Sequence, residues 1–283
     1  MLLEVSPMFL YHRAEGTRVK NLSPLREMMP YLFPRRNDAV VYFEQEIDVE
    51  QALKYLEGKD LTFFHLVITG IVRALHLRPG LNRFVSGGKI YQRKNITVSF
   101  AVKKEKKDEG RITPVKIECN GEETLSTMAQ KINAVIGQGR GKKDTTSEAE
   151  LNLMRFLPGF LIRILLWFYR WLDGIGLLPY AMVKKDPLYC SIFLANIGSL
   201  GLHAPWHHLY EMGTSPFFGV IGKIKKVPVV NEQNQVVPRQ MVLIRYSFDE
   251  RINDAFYCAA SLKLLEDYLA NPTLLELPPT QTV

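Results

Sequence analysis

Between residues 62 and 76 the apolar positions Phe64, Val67, Ile68, Ile71, Val72 and Leu75 recur at three- and four-residue intervals. That spacing lays them along one face of a helix. Thr62 is a suitable N-cap and Pro79-Gly80 a suitable stop, so the pattern predicts a helix from Thr62 to about His76. Upstream, residues 39–48 are rich in β-branched and aromatic side chains and predict a strand. Asp48 then caps a short helix over 49–56. Residues 1–37, with prolines at 7, 24, 30 and 34, read as irregular.

Downstream, residues 89–93 and 96–104 read as two strands joined by Lys94-Asn95. In the second, Ile96, Val98, Phe100 and Val102 alternate onto one face. Residues 111–118 form another strand, and Glu122-Glu123-Thr124 opens a helix to about Ile136. Residues 137–150 carry glycine and small polar residues and read as a linker. Residues 191–194, 217–224 and 227–230 read as strands. Asn231-Glu232-Gln233-Asn234 is a hairpin turn, followed by strands at 235–237 and 240–247. A last helix covers 256–269, and 278–283 are loose.

The most apolar part of the chain is 151–172. Arg163 and Arg170 are seven apart and share a face of this helical stretch. The run falls short of the roughly 20 residues that span a bilayer. Three readings remain open: a core or subunit-interface helix, a membrane-surface helix anchored by Trp167 and Trp171, and a lid over an apolar substrate.

Composition adds little to this picture. The 283 residues, 47% hydrophobic and 23% charged, suit a globular protein with room for a substantial core. The net charge of +7 favours anionic partners. The positive charges are dispersed and form no basic-aromatic module, so nucleic acid is not an expected partner. Cys119, Cys190 and Cys258 have neither a disulfide framework nor metal-ligand spacing. With no signal-peptide pattern at 1–10, the expected location is the cytoplasm, with a membrane-peripheral position as the variant that 151–172 allows. No Gly-x-Gly-x-x-Gly follows a strand and no Walker sequence occurs, so a nucleotide site has little support.

Candidate chemistry concentrates in Tyr246-Ser247-Phe248-Asp249-Glu250-Arg251-Ile252-Asn253-Asp254-Ala255. This polar stretch joins the last strand to the last helix, where side chains converge. Its plain reading is a turn with Asn253 or Asp254 as the helix cap and Arg251 solvated.

Four stretches together suggest more. The helix and following Pro79-Gly80-Leu81-Asn82, the strand 96–102 followed by Arg111-Ile112-Thr113-Pro114-Val115, the run from Ile192 to Ile224, and Asp249 to Ala255 occur in that order. The chain thereby resembles the catalytic domain of the dihydrolipoyl acyltransferases of 2-oxoacid dehydrogenase complexes, within the chloramphenicol-acetyltransferase-like superfamily. The resemblance implies an α/β (α+β) two-layer sandwich with a mixed β-sheet. It implies a single domain over 38–272, preceded by an extension at 1–37 and followed by a tail at 273–283. The 139–187 region has no clear counterpart in that family and is expected to be a divergent apolar helical insertion.

The same resemblance implies a homotrimer, or a higher assembly of trimers, with active sites between subunits. It implies coenzyme A or acyl-CoA as co-substrate, with no covalent cofactor and no metal. The region 151–172 is expected to meet a membrane surface or a protein partner. The chain has no lipoyl-lysine hairpin, so a lipoyl group is expected to come from another chain.

Two departures bear on activity. The family's Asp-His-Arg-x-x-Asp-Gly pattern has its general base at the histidine, and Glu250 stands there in this chain. Asp249, Arg251 and Asp254 match and shape the loop, while Ala255 replaces the glycine. The family's oxyanion-stabilising serine aligns with Ala195, which has no donor. Carboxylates are ordinarily about two units less basic than imidazole, a deficit of roughly 2–3 kcal/mol for proton abstraction. A missing oxyanion donor takes away roughly 3–4 kcal/mol more. The expectation is therefore a catalytically degenerate scaffold or binding protein, a pseudoenzyme. The alternative is an atypical CoA-dependent acyltransferase with Glu250 as base and Asp254 as a further catalytic candidate, acting on an apolar or lipid-like acyl substrate. His207 or His208 as substitute base, and Asn196 or Ser199 as substitute donor, complete the candidates.

Overall fold

A computed structural model describes residues 11–103, 112–140 and 155–279. Its centre is a seven-stranded mixed sheet. The strands are β2 (Val40–Asp48), β5 (Ile96–Lys103), β6 (Ile112–Cys119), β7 (Ile192–Asn196), β8 (Phe217–Ile221), β9 (Lys225–Val230) and β10 (Val236–Asp249). They run in the order β2-β10-β8-β7-β5-β6, with β9 paired to the outer half of β10. The β5–β7 and β7–β8 pairs are parallel and the others antiparallel. A smaller sheet is ordered β1-β4-β3, from Gly16–Arg18, Lys89–Arg93 and Arg83–Ser86.

Helices cover one face of the large sheet. These are α2 (Glu50–Leu56), α3 (Phe63–Leu77), α4 (Leu125–Gly139) and α7 (Ala255–Ala270). Thr62 caps α3 through a reciprocal pair: its hydroxyl accepts from His65 N, and His65 Nδ1 accepts from Thr62 N. The apolar stripe of α3, with Val67, Ile68, Ile71, Val72 and Leu75, shares one buried core with Val98, Phe100, Ile192 and Leu194 of the sheet. Full burial of each such side chain contributes about 1.5–3 kcal/mol. Alternation along β7 sends Phe193 and Ala195 to the other face. There they meet Phe218 and Val220 under the chain segment that carries Ala204 and Leu209.

Several local expectations are corrected. Residues 1–37 are not wholly irregular: they contribute β1, helix α1 (Pro24–Leu32) and, with the next two residues, a 3-10 turn at Arg36–Ala39. Ser23 caps α1 and Pro24 occupies its first turn, where a missing N–H costs nothing. Val49, not Asp48, holds the cap position of α2, although Asp48 Oδ1 does accept from Glu50 N at 2.9 Å. The strands at 89–93 and 96–103 belong to different sheets. The partner of β4 is β3, reached through Gly87-Gly88, both at positive φ as a two-residue hairpin requires.

Residues 236–249 form one strand rather than two. Over its first five residues β10 pairs with β9 alone, so Pro238 lies at an open edge that tolerates it. Strand β8 stops at Ile221, three residues short of the expected end. In the linker at 137–150, α4 continues to Gly139, and 141–154 lie outside the described residues. In the tail, Pro272–Leu275 form a 3-10 turn with Leu275 fully buried. Residues 280–283 lie outside the described set.

The apolar stretch contains helix α5 (Gly159–Gly174), followed by the short α6 (Tyr180–Lys185). It is not a core helix, because α5 has no buried residue. Its C-terminal end is fixed: Asp173 pairs with the buried Arg13 at 2.6 Å, and Tyr11 N donates to Ile175 O at 2.8 Å.

Candidate active site

Strand β10 ends at Asp249 and α7 begins at Ala255, so the polar stretch is the turn between them. Asp254 is the cap, accepting from Tyr257 N at 2.7 Å. Asn253 Oδ1 accepts from Asp254 N at 3.0 Å. A Cβ on Gly80 would lie 2.5 Å from Asn253 Nδ2 and 2.9 Å from Tyr257 Cζ, so any larger residue after α3 would have to push both side chains aside.

Arg251 is not solvated; it is 3% exposed. Its Nε and Nη2 each meet a carboxylate oxygen of Asp249 at 2.8 Å, and Nη1 donates to Phe33 O at 2.9 Å and Pro34 O at 3.2 Å. A second buried guanidinium, Arg36, places Nε 3.6 Å from Asp249 Oδ2. Arg36 also donates to Tyr210 O and, at 2.8 Å, to Gly213 O. Burial depresses the Arg36 proton affinity, Asp249 opposes that, and the neighbouring Arg251 adds to it. Two guanidinium groups thus share one carboxylate, with backbone carbonyls filling their remaining positions.

Glu250 lies between these buried partners but turns outward. Its backbone N donates to Ala39 O at 3.0 Å and its backbone O accepts from Arg26 Nη1. It lines a cleft of about 330 Å³ together with Ser23, Arg26, Met29, Phe33 and Asn253. Helix α1 therefore supplies one wall beside Glu250. Arg26 and Arg36 have no separate signal in the sequence beyond lying among the prolines of 24–34 and their flank.

Ala195 is elsewhere. Across the sheet Ala195 pairs with Val220, and Val220 with Arg245. Arg245 and Glu250 are five residues apart along one chain direction. At about 3.4 Å per residue that is roughly 17 Å, before the sideways offset of the strands is added. One chain does not bring Ala195 and Glu250 together. Asn196 and Ser199 form a closed turn: Asn196 Oδ1 accepts from Ser199 N at 3.3 Å, and Ser199 Oγ donates to Asn196 O at 2.9 Å.

His207 stacks on Phe218, ring centroids 3.7 Å apart, on the face that also holds Ala195. Its Nδ1 lies 2.6 Å from His208 O, and His208 Nδ1 lies 3.0 Å from Leu209 O. A carbonyl only accepts, so each Nδ1 carries the proton and each Nε2 is left as the basic atom. Burial lowers the proton affinity of His207; the His208 carbonyl opposes this and the His208 ring adds to it. Among the described residues, no group of three or more His, Cys, Asp or Glu side chains is arranged to hold a metal ion.

The model of the 2-oxoacid dehydrogenases acyltransferase (catalytic domain) family matches residues 20–151 and 192–277. The chain belongs to that family. The match begins before α1, so the wall it gives the Glu250 cleft is inside the family region. The gap in the match contains α5 and α6 and falls within the expected insertion but for its last few residues.

A lipoamide acyltransferase component of the branched-chain alpha-keto acid dehydrogenase complex of Bacillus subtilis (strain 168) is 30% identical over 102 residues. That alignment covers 36% of this chain and 23% of the relative, so the acyltransferase-family chain matches less than a quarter of that protein's length. The fold is similar to that of a probable dihydrolipoamide acetyltransferase from Listeria monocytogenes, with 18% identity, a TM-score of 0.56, and coverage of 91% of this chain and 96% of the other. It is also similar to the cubic core of a pyruvate dehydrogenase multienzyme complex, with 16% identity, a TM-score of 0.57, and coverage of 89% and 88%. For a chloramphenicol acetyltransferase the identity is 13%, the TM-score 0.54, and the coverage 90% and 99%. At these identities the likeness carries the mixed α/β fold.

Proposed function

We propose that this chain is a trimeric, catalytically degenerate acyltransferase-fold protein that serves as a scaffold or binding protein. The observation that carries the reading is Ala195. Its side chain is a methyl group packed against the Phe193, Phe218 and Val220 cluster, so it offers no donor to an oxyanion. Two of the candidate replacements, Ser199 and Asp254, are otherwise engaged. Ser199 donates within its own turn, and Asn196 accepts there. Asp254 is committed to capping α7.

The separation of Ala195 from Glu250 supports assembly. A family site built from both positions needs a neighbouring copy, which fits a homotrimer and, by likeness to the cubic core, a higher assembly of trimers. Three unpaired, buried thiols suit the reducing cytoplasm. A scaffold needs a docking surface, and the described part of 151–172 offers one to a membrane or a protein.

One observation favours a second reading, an atypical CoA-dependent acyltransferase with Glu250 as base. The cleft beside Glu250 is within the size range of small-ligand sites and includes Arg26, a cation suited to a phosphorylated ligand. Coenzyme A or acyl-CoA would bind there as co-substrate, with Glu250 turned toward the incoming thiol. Acyl transfer assayed with short- and long-chain acyl-CoA, alongside calorimetry with the same compounds, separates the two. The scaffold reading expects no turnover above background. Turnover that Glu250→Gln abolishes overturns it.

A further inference from the structure

Helix α5 carries none of the candidate site residues and buries none of its residues. At about 100° per residue, Trp167, Phe160, Trp171, Ile164, Phe168 and Leu161 follow one another around an arc of about 120°. All six are exposed, led by Trp167 at 66% and Phe160 at 65%. With about 150–250 Å² for each aromatic side chain, the arc presents roughly 600 Å² of apolar surface. That is the upper end of what a soluble monomer ordinarily shows, and such patches mark interaction sites.

On the opposite side of α5 two side chains meet the body of the protein. Tyr169 reaches the Tyr189 hydroxyl at 3.2 Å, and Asp173 pairs with Arg13. Arg163 and Arg170 border the arc on one side, about 40–60° beyond Trp167, and the exposed Leu165 extends it on the other. They are exposed, and between residues 155 and 172 every charged side chain is an arginine. The nearest acid, Asp173, is engaged by Arg13. The next helix adds the exposed Lys184 and Lys185.

We infer that α5 lies in the plane of an anionic lipid surface and anchors the protein there. This commits the docking surface proposed above to one occupant, and it stands whether or not acyl transfer is lost. The charge pattern carries the choice. An apolar arc bordered on one side by arginines, with Trp167 and Trp171 within it, matches the layering of acyl chain, interface and anionic headgroup. Among the described residues no helix is long and apolar enough to cross a membrane, which is what a surface-lying helix requires. A second copy of the chain fits less well. The arc is smaller than the roughly 800 Å² per side of a stable protein pair. A symmetric pairing of the two helices would also bring their arginines together.

Flotation of the full chain with vesicles tests this directly. Expected is binding to vesicles of phosphatidylcholine and phosphatidylglycerol in equal parts, weak binding to phosphatidylcholine alone, and weakening with salt. The double substitution Trp167→Ser with Trp171→Ser should cost at least about tenfold in vesicle affinity. Arg163→Glu with Arg170→Glu should abolish the preference for the anionic vesicles. Because α5 buries no side chain, both variants should keep the native circular dichroism. No flotation with either vesicle overturns the inference, as does flotation undiminished by the tryptophan pair. So does a fall in sedimentation mass in the tryptophan variant, which would mean that a second copy covers α5.

Discussion

Arg251 grips Asp249 through two parallel bonds of 2.8 Å, although only one residue separates them in the chain. The grip folds the strand-to-helix turn back on itself and holds Glu250 outward, between two buried charges. It also fastens the turn to the chain end of α1 through Phe33 O and Pro34 O. Removing one partner of such a buried pair leaves the other uncompensated. Arg251→Met leaves Asp249 facing Arg36 alone at 3.6 Å, so the cost should fall below the roughly 3–5 kcal/mol of a fully broken buried pair. Asp249→Ala should cost more, because it strands both Arg251 and Arg36. Urea unfolding with an unchanged slope provides the measurement; a loss under about 1 kcal/mol for either variant would contradict the role given to the pair.

Acid should destabilise the protein through two identified carboxylates. Burial pushes the Glu211 carboxyl up, but the backbone and side-chain N–H groups of Asn37, with Arg36, hold it below its ordinary value of 4.5. Burial likewise pushes Glu123 up, while Lys131 and the N–H groups of Asn120 and Gly121 bring it below 4.5. A depressed native value means that the unfolded chain binds more protons in the window below 4.5. The contribution of each group is fully present above that window and is lost as pH falls through the native value. Glu211→Gln and Glu123→Gln should each be less stable than the parent at pH 7, and the difference should shrink toward pH 3. A difference that stays constant from pH 7 to pH 3 would refute the assignment.

How far the sequence can be read depends on the range of the interactions. Helix α3 is legible because the Thr62 cap and its apolar stripe are local signals, and nothing in the tertiary structure opposes them. Strand β10 reads as two because Pro238 looks like a breaker; only its pairing with β9 alone makes it harmless. The β3–β4 hairpin escapes the sequence reading although Gly87-Gly88 is a strong turn signal. Helix α1 escapes it because Pro24 and Pro30 outweigh the Ser23 cap. At the site, Asp249, Glu250 and Arg251 stand out as a polar turn. Their burial does not, because the groups that permit it, Arg36 and the carbonyls of Phe33 and Pro34, arrive from more than two hundred residues earlier.

Lys116 ties the α5–α6 region to the sheet. Its Nζ donates to Val183 O at 3.1 Å, Asp186 O at 2.9 Å and Tyr189 O at 2.8 Å, using all three of its protons. Lys116→Met removes all three bonds; Asp186 O keeps the Tyr189 N–H at 3.2 Å, while each buried carbonyl left without a partner costs about 1–3 kcal/mol. The expected readout is local as well as global. Limited proteolysis should cut between residues 175 and 190 at least about tenfold faster in the variant, since local opening follows the lost free energy. Unchanged cleavage would show that the sheet holds this region by other contacts.

The distance between Ala195 and Glu250 leads to a test of alignment and assembly together. If the two positions correspond to the donor and the base of the family, Ala195→Ser with Glu250→His should gain acetyl transfer from acetyl-CoA to dihydrolipoamide. Each single variant should gain far less, since one restored group leaves a deficit of roughly 2–4 kcal/mol, or about 30- to 1,000-fold in rate. The two positions lie about 17 Å or more apart in one chain. A working site would therefore join the hydroxyl introduced by Ala195→Ser in one copy to the imidazole introduced by Glu250→His in a neighbour. Mixing the two single variants during refolding should then produce hybrid assemblies in which some interfaces carry both groups. Their activity should be a fraction of that of the double variant and well above the sum of the unmixed singles. Mixed samples no more active than the unmixed ones, with the double variant active, would mean that a single chain completes the site. An inactive double variant that binds acetyl-CoA and keeps the parent's sedimentation mass would detach Ala195 and Glu250 from the roles of donor and base.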